Sequence, residues 1–218
     1  MRIAVDGNIG SGKTTVLHAL RRHFGSSGHA DGNDAVVLEE PVDEWTQPLP
    51  DRGDQTLLDR VYADPAEWGL HFSLRVLLSF GRTADVDASK TVITERCPLS
   101  CRHVFTQLLF NDGHLSHAQW DAFKDCADVL GWLPDAIVFV DTPAHVCAER
   151  IKRRGRPCEA SLDVQYLRRL EFQYDTMLKY VTVPVVRLDG TADADTLAAA
   201  AEDAVRALVA PTLSSQRV

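Results

Sequence analysis

Apolar positions along the chain follow two alternating rhythms. Short β-rich runs at Ile3–Val5, Ala35–Leu38, Thr91–Thr94, Ala136–Val140 and Val183–Leu188 read as five strands. Between them, apolar residues recur three and four apart, the helical spacing. The first such stretch runs from Lys13 to about Phe24, with Val16, Leu17, Leu20 and Phe24 on one side and Gly25 placed to end it. Helical pattern returns from about Gln55, from Glu67 to Phe80, over Leu99–Phe110 and over His117–Leu130. Thr142-Pro143 predicts an N-cap with proline at the first helical position, opening a helix to about Lys152. Further helices are expected over Leu162–Tyr180 and Asp193–Val209. Polar loops are expected from Gly25 to Asp34 and from Pro48 to Gly53, and a disordered tail over Pro211–Val218. Pro184 suits an edge strand, because it cannot donate to a ladder. Strands alternating with helices of this length predict an α/β fold with a parallel sheet covered on both faces. No internal repeat or second domain is visible, so residues 1–210 are expected as a single domain.

Four of the five strands run directly into acidic residues: Asp6, Glu39-Glu40, Glu95 and Asp141. In an open parallel sheet the carboxyl ends of the strands form the ligand crevice. Helix capping is the competing explanation. It is strong for Asp141, because Thr142-Pro143 follows. It is weaker for Glu40, because Pro41 disfavours helical backbone in the residue before it, and for Glu95, which Arg96 follows.

Gly7-Asn8-Ile9-Gly10-Ser11-Gly12-Lys13-Thr14-Thr15 contains G-x-x-x-x-G-K-[ST] in full, with a strand before it and a helix after it. Glycines let successive backbone N–H groups point at phosphate oxygens, and the helix N-terminus adds its positive dipole end. Lys13 is expected to reach the β- and γ-phosphates and Thr14 to hold Mg²⁺. The motif implies ATP or GTP and leaves the acceptor open.

Further segments follow in order: Glu40-Pro41-Val42-Asp43-Glu44-Trp45, Tyr62-Ala63-Asp64-Pro65 with Trp68 and Phe72, Glu95-Arg96-Cys97 with Phe105, and Arg150-Ile151-Lys152-Arg153-Arg154-Gly155-Arg156 with Glu159 and Tyr166-Leu167. Together with the glycine loop, this order resembles the deoxyribonucleoside kinases: deoxycytidine, deoxyguanosine and mitochondrial-type thymidine kinases and their viral relatives. The resemblance spans about Arg2 to Asp189. It implies a P-loop kinase with a five-stranded parallel sheet, using ATP and Mg²⁺ to phosphorylate the 5′-hydroxyl of a small-molecule deoxynucleoside, and a homodimer. It implies Glu40 as the general base, with Glu39 as competitor, and Arg96 as the arginine that orients the 5′-oxygen and the base. Glu95 is implied as the metal partner of Thr14, with Asp141 as rival. Arg150, Arg154 and Arg156 are implied to belong to a lid near residues 150–160 that closes on the phosphates. Tyr62 and Glu159 are implied to hold the sugar 3′-hydroxyl, and Trp45, Phe72 and Phe105 to sandwich the base. The pattern breaks at the base-reading position, where the family carries glutamine and this chain carries Ser73. Arg75 does not replace it, because two positions along a helix point to a different face. Cys101 and Phe80 occupy positions that vary with base preference. These choices lean toward thymidine or deoxycytidine.

Bulk properties limit the alternatives. A net charge of -8 over 218 residues lacks the electrostatic footprint of a nucleic-acid binder. No apolar run approaches a membrane span, and a first strand at Arg2 or Ile3 leaves no room for a leader peptide. The expectation is a cytoplasmic protein whose five cysteines form no C-x-x-C pair and stay reduced. His114 and His117 form a lone H-x-x-H without a second ligand pair. Two other readings stay open: a nucleoside monophosphate kinase on the same cradle, and a nucleotide-dependent switch without small-molecule phosphorylation.

Overall fold

The structure, a computed structural model, describes residues 1–25, 35–49, 55–83 and 90–210. The expected loop at 26–34, the greater part of that at 48–53 and the expected tail at 211–218 lie outside the described residues.

Five strands, β1 (Arg2–Asp6), β2 (Ala35–Leu38), β3 (Thr91–Glu95), β4 (Ala136–Asp141) and β5 (Val185–Asp189), form one parallel sheet in the order β2-β3-β1-β4-β5. After β1 the chain goes out to the edge strand β2, returns to β3 beside β1, then crosses to the other side for β4 and β5. The turn after β1 therefore lies where the direction of strand addition reverses, the usual place for a ligand in such sheets. Register gathers the acids. Leu38 pairs with Thr94 and Val5 with Glu95, so Asp6, Glu39-Glu40 and Glu95 follow from three adjacent strands at one rim. Strand β5 is one of the two sheet edges, as Pro184 suggested, but it begins one residue after that proline, whose carbonyl accepts from Ile137 N–H at 2.9 Å.

Alternation along the strands divides the core. Ile3, Val5, Val138 and Val140 face α1 (Lys13–Phe24) and the Ala-rich C-terminal helix 194–209, burying Val16, Leu17, Leu20, Leu197 and Ala201. Ala4, Ile137 and Phe139 face the other way, against Leu167, Leu170, Tyr174 and Met177. A third cluster, outside the sheet, joins Trp45, Val76, Leu77 and Phe80 to Trp120 and Phe123.

Numbered in chain order, the remaining helices are α2 (Val42–Trp45), α3 (Leu57–Ala63), α4 (Pro65–Thr83), α5 (Pro98–Ser100), α6 (Gln107–Asn111), α7 (His117–Leu130), α8 (Ala144–Arg154), α9 (Val164–Tyr180) and α10 (Ala194–Val209). Three expectations need correction. The single helix over Leu99–Phe110 is instead α5, a π-helical turn at Cys101–Thr106, and α6. Across the turn Gln107 N–H reaches Arg102 O, and Thr106 Oγ1 donates to Cys101 O at 2.8 Å, which supports the wider loop. Thr142 does not cap α8, because its hydroxyl donates to Ser11 O at 2.9 Å; the cap position falls on Pro143. Helix α9 starts two residues later than expected, where the Asp163 carboxylate accepts from Tyr166 N–H.

Candidate active site

A cleft of about 1090 Å³ opens at the carboxyl rim of the sheet. Its volume is at the top of the range of roughly 300–1,000 Å³ that small-molecule sites take. One end is the glycine loop. Gly7, Gly10 and Gly12 have φ of 150°, 78° and 112°, all in the region that side chains disfavour. A Cβ would stand 2.7 Å from Val140 O at Gly7 and 2.8 Å from Cys147 O at Gly10. Ile9, Gly10, Gly12, Lys13, Thr14 and Thr15 line the cleft, whereas Gly7, Asn8 and Ser11 lie behind it. Asn8 is turned inward: it accepts from Ile9 N–H and donates to Leu167 O at 2.9 Å, tying the loop to α9. Ser11 O is held from two sides, by Thr142 Oγ1 and by Arg150 at 2.9 Å. Lys13 bends back onto the carbonyls of Gly7 and Asn8 at 3.1 and 2.8 Å. Burial, with Arg96 adding to it, lowers its ammonium to about 8.

The middle of the cleft holds Glu40, Glu95 and Arg96. Arg96 ion-pairs with Glu40, and Glu40 N–H approaches Glu95 Oε2 at 3.5 Å. Burial raises the Glu40 carboxyl to about 7; Arg96 opposes the rise and Glu95 adds to it. Arg96 has φ of 58°, the only non-glycine residue with positive φ among those described. The strained backbone is held by Arg96 N–H to Val5 O at 2.9 Å and Thr94 Oγ1 to Arg96 O at 2.8 Å. Glu39 reaches the cleft edge but is paired with Arg21. Asp141 does not line this cleft; its exposed carboxylate pairs with Arg187 at 2.8 Å.

The far end is aromatic and apolar. Trp45, Tyr62, Phe72, Ser73, Val76, Phe80, Cys101 and Phe105 line it. Trp45 and Phe72 meet edge to face, 5.4 Å apart, and the Phe105 ring carries the Arg96 guanidinium 4.9 Å from its centre. All three aromatics expected to sandwich a base thus line this end, and Arg96 gives it one cationic face. Cys101 Sγ lies 3.8 Å from Ser73 O. Arg75 does not line the cleft and faces Glu44 instead. Helix α8 is capped by Gly155 (φ 67°), and Arg154 and Arg156, both lining the cleft, converge on buried Glu159. Tyr62 lies near that carboxylate; burial, Tyr166 and then Glu159 push its hydroxyl well above the ordinary tyrosine range.

The residues fit a nucleotide and a hard cation. The loop offers backbone room that no side chain could share, and a hydroxyl and a carboxylate, Thr14 and Glu95, face one cleft. That is the donor set Mg²⁺ takes when substrate phosphates complete its shell. Sequence reasoning missed Tyr174, whose hydroxyl lies against Arg96, because its spacing from Leu170 and Met177 is simply that of a core helix face.

Comparison with known proteins supplies the class. The family model described as deoxynucleoside kinase matches residues 3–210. The chain belongs to the deoxynucleoside kinase family, a family of phosphotransferases with the P-loop kinase fold. It is 29% identical over 192 residues to the putative kinase protein 143R of Invertebrate iridescent virus 6, covering 87% of this chain and 88% of the relative. It is 26% identical over 212 residues to deoxycytidine kinase 2 of Gallus gallus (84% and 76% covered), and 28% over 184 residues to mitochondrial thymidine kinase 2 of Homo sapiens (81% and 63% covered). Among the described residues no helix is long and apolar enough to cross a membrane.

Proposed function

We propose that this kinase transfers the γ-phosphoryl group of ATP to the 5′-hydroxyl of a pyrimidine deoxyribonucleoside, thymidine or deoxycytidine. The observation that carries the reading is the Glu40–Arg96 pair, lying between the glycine loop and the aromatic box in one cleft. Glu40 accepts the 5′-hydroxyl proton as the oxygen attacks the γ-phosphorus. The bond from that phosphorus to the β–γ bridging oxygen breaks, giving ADP and the nucleoside 5′-monophosphate. Arg96 orients the 5′-oxygen and the base. Lys13 holds the β- and γ-phosphates, and Arg150, Arg154 and Arg156 form the lid whose charge offsets that of the transferring group. Mg²⁺, held by Thr14 and Glu95, would neutralise phosphate charge when bound. Tyr62 and Glu159 hold the 3′-hydroxyl, and Trp45, Phe72 and Phe105 enclose the base.

The test is an acceptor panel with labelled ATP, covering deoxynucleosides and their monophosphates. Thymidine or deoxycytidine should be converted to the monophosphate. Labelling of thymidine monophosphate but not thymidine would replace this reading with a monophosphate kinase. Nucleoside-independent ATP turnover alone would favour a switch.

A further inference from the structure

Behind Arg96 lies a buried polar chain whose side chains do not line the cleft. Asp6, the last residue of β1, has no solvent exposure. Its Oδ1 accepts from Gly7 N–H at 2.8 Å and from the Tyr174 hydroxyl at 2.8 Å. Tyr174, on α9, accepts in turn from Arg96 Nε at 3.3 Å. The direction of each bond is fixed. Arg96 can only donate, so the phenol accepts from it and turns its own O–H to Asp6 Oδ1. Arg96 then presents its far edge, Nη1, to Glu40.

The chain joins two parts of the cleft that must keep register. One oxygen of Asp6 holds both the first residue of the glycine loop and, through Tyr174, the guanidinium facing the acceptor. A purely structural role explains this poorly. Asp6 Oδ2 is buried without a hydrogen bond of normal geometry, the Ser100 hydroxyl being the group near the carboxyl, and well-packed apolar residues usually stabilise a core as well as a buried polar cluster does. Burial pushes the Asp6 carboxyl up, and Arg96, 3.9 Å away at Nε, opposes the rise, so the acid and the cation hold each other in place opposite Glu40.

We propose that Asp6 and Tyr174 are positioning residues for phosphoryl transfer, locking Arg96 in register with the phosphate loop. The proposal rests on the reading of Glu40 and Arg96 as the pair that faces the 5′-hydroxyl. Neither residue lines the cleft, so neither touches a substrate bound there. Their effect falls on kcat, because alignment of the reacting groups counts only in the transition state.

The experiment is steady-state kinetics on Tyr174→Phe, Asp6→Asn and the double variant, per correctly folded site, with thermal unfolding alongside. Tyr174→Phe keeps the ring that packs on Phe105 and Phe139 and removes only the hydroxyl. Its kcat should fall about tenfold, the scale of one hydrogen bond in a transition state, with KM for both substrates unchanged. Asp6→Asn should also lower kcat. It carries the test alone if the phenylalanine variant does not fold. Because both residues act through one bond, the double variant should be no slower than the worse single variant. Wild-type kcat in Tyr174→Phe or in Asp6→Asn overturns the role, as do fully additive losses or losses that appear only in KM. Turnover of deoxynucleosides by the wild type checks the underlying reading separately; without it both fall, whereas wild-type turnover with unaffected variants removes only the positioning role.

Discussion

Glu159 grips Arg154 by both carboxylate oxygens: Nη2 lies 2.7 Å from Oε1 and 2.6 Å from Oε2, and Nε lies 3.2 Å from Oε2. Arg156 adds a longer contact at 3.6 Å. The acid proposed to hold the sugar is therefore also the acid that holds a lid arginine. Gly155, at φ 67°, stands between the two arginines, so the chain reverses sharply where both return to one carboxylate. Sugar binding and lid position then share one group.

That sharing predicts how Glu159→Ala behaves. A deoxynucleoside should lose about 1–3 kcal/mol of transition-state stabilisation, the cost of one charged hydrogen bond. A 3′-deoxy acceptor, with no hydroxyl to lose, should be penalised less. The comparison is kcat/KM for both acceptors in wild type and variant. Equal penalties would show that Glu159 acts on the lid alone.

Glu40→Gln tests the proton acceptor. The amide keeps the shape and the contact with Arg96 but cannot take a proton. The expected loss in kcat is roughly 10²–10⁴-fold with KM for ATP nearly unchanged, the usual range for a positioned acid–base group. A variant with near-normal kcat would return the role to Glu39 or to solvent.

The pH dependence follows from the same buried cluster. Burial lifts the Glu40 carboxyl from 4.5 to about 7, so its basic form is lost as pH falls through that value. Burial and Arg96 lower Lys13 from 10.5 to about 8, so its charge is lost as pH rises through that value. The expected profile of kcat/KM for ATP is a bell with limbs near those two values, which belong to the coupled cluster rather than to isolated residues. Glu40→Gln should remove the acid limb and spare the basic one. Stability carries the opposite sign for Glu40: an acid whose folded value is raised makes the fold lose stability as pH rises from about 4.5 to about 7, because the folded state then binds the extra proton. Thermal unfolding of wild type against Glu40→Gln across that interval measures it.

What could be read from the sequence was what backbone geometry forces. Three glycines in register mark a loop whose φ values exclude other residues, and strand-end acids at Asp6, Glu40 and Glu95 mark the rim that parallel register brings together. What could not be read depends on contacts far apart in the chain. Tyr174 meets Asp6 across 168 positions, and nothing in the α9 pattern separates it from Leu170 or Met177. The π-helical turn at Cys101–Thr106 has an apolar spacing that an α-helix would satisfy equally well. Thr142 follows the rule for a cap but finds a better acceptor in Ser11 O, which only the folded loop supplies. The left-handed Arg96 is stabilised locally by Thr94 and across the sheet by Val5 on β1, the second a tertiary cause for a local conformation.

Base selection gives the last prediction. Ser73 is buried at the aromatic end beside Val76, Phe80 and Cys101, none of which offers the paired donor and acceptor of an amide. Trp45 Nε1, also buried there, has no hydrogen-bond partner. A pyrimidine in this box would be held by the edge-to-face Trp45–Phe72 pair and by Phe105, with the Ser73 hydroxyl, the Trp45 N–H and the Arg96 guanidinium to read it but no side-chain amide. Aromatic contact tolerates any base, because every base has a π-face. Wild type should therefore discriminate weakly between thymidine and deoxycytidine. Ser73→Gln extends an amide into the cleft and should tighten nucleoside binding and sharpen the preference. The measurement is kcat/KM for thymidine, deoxycytidine and deoxyguanosine before and after the change. A wild-type preference for one base above about 10⁴-fold would contradict the argument, since discrimination on that scale needs paired hydrogen bonds to the base.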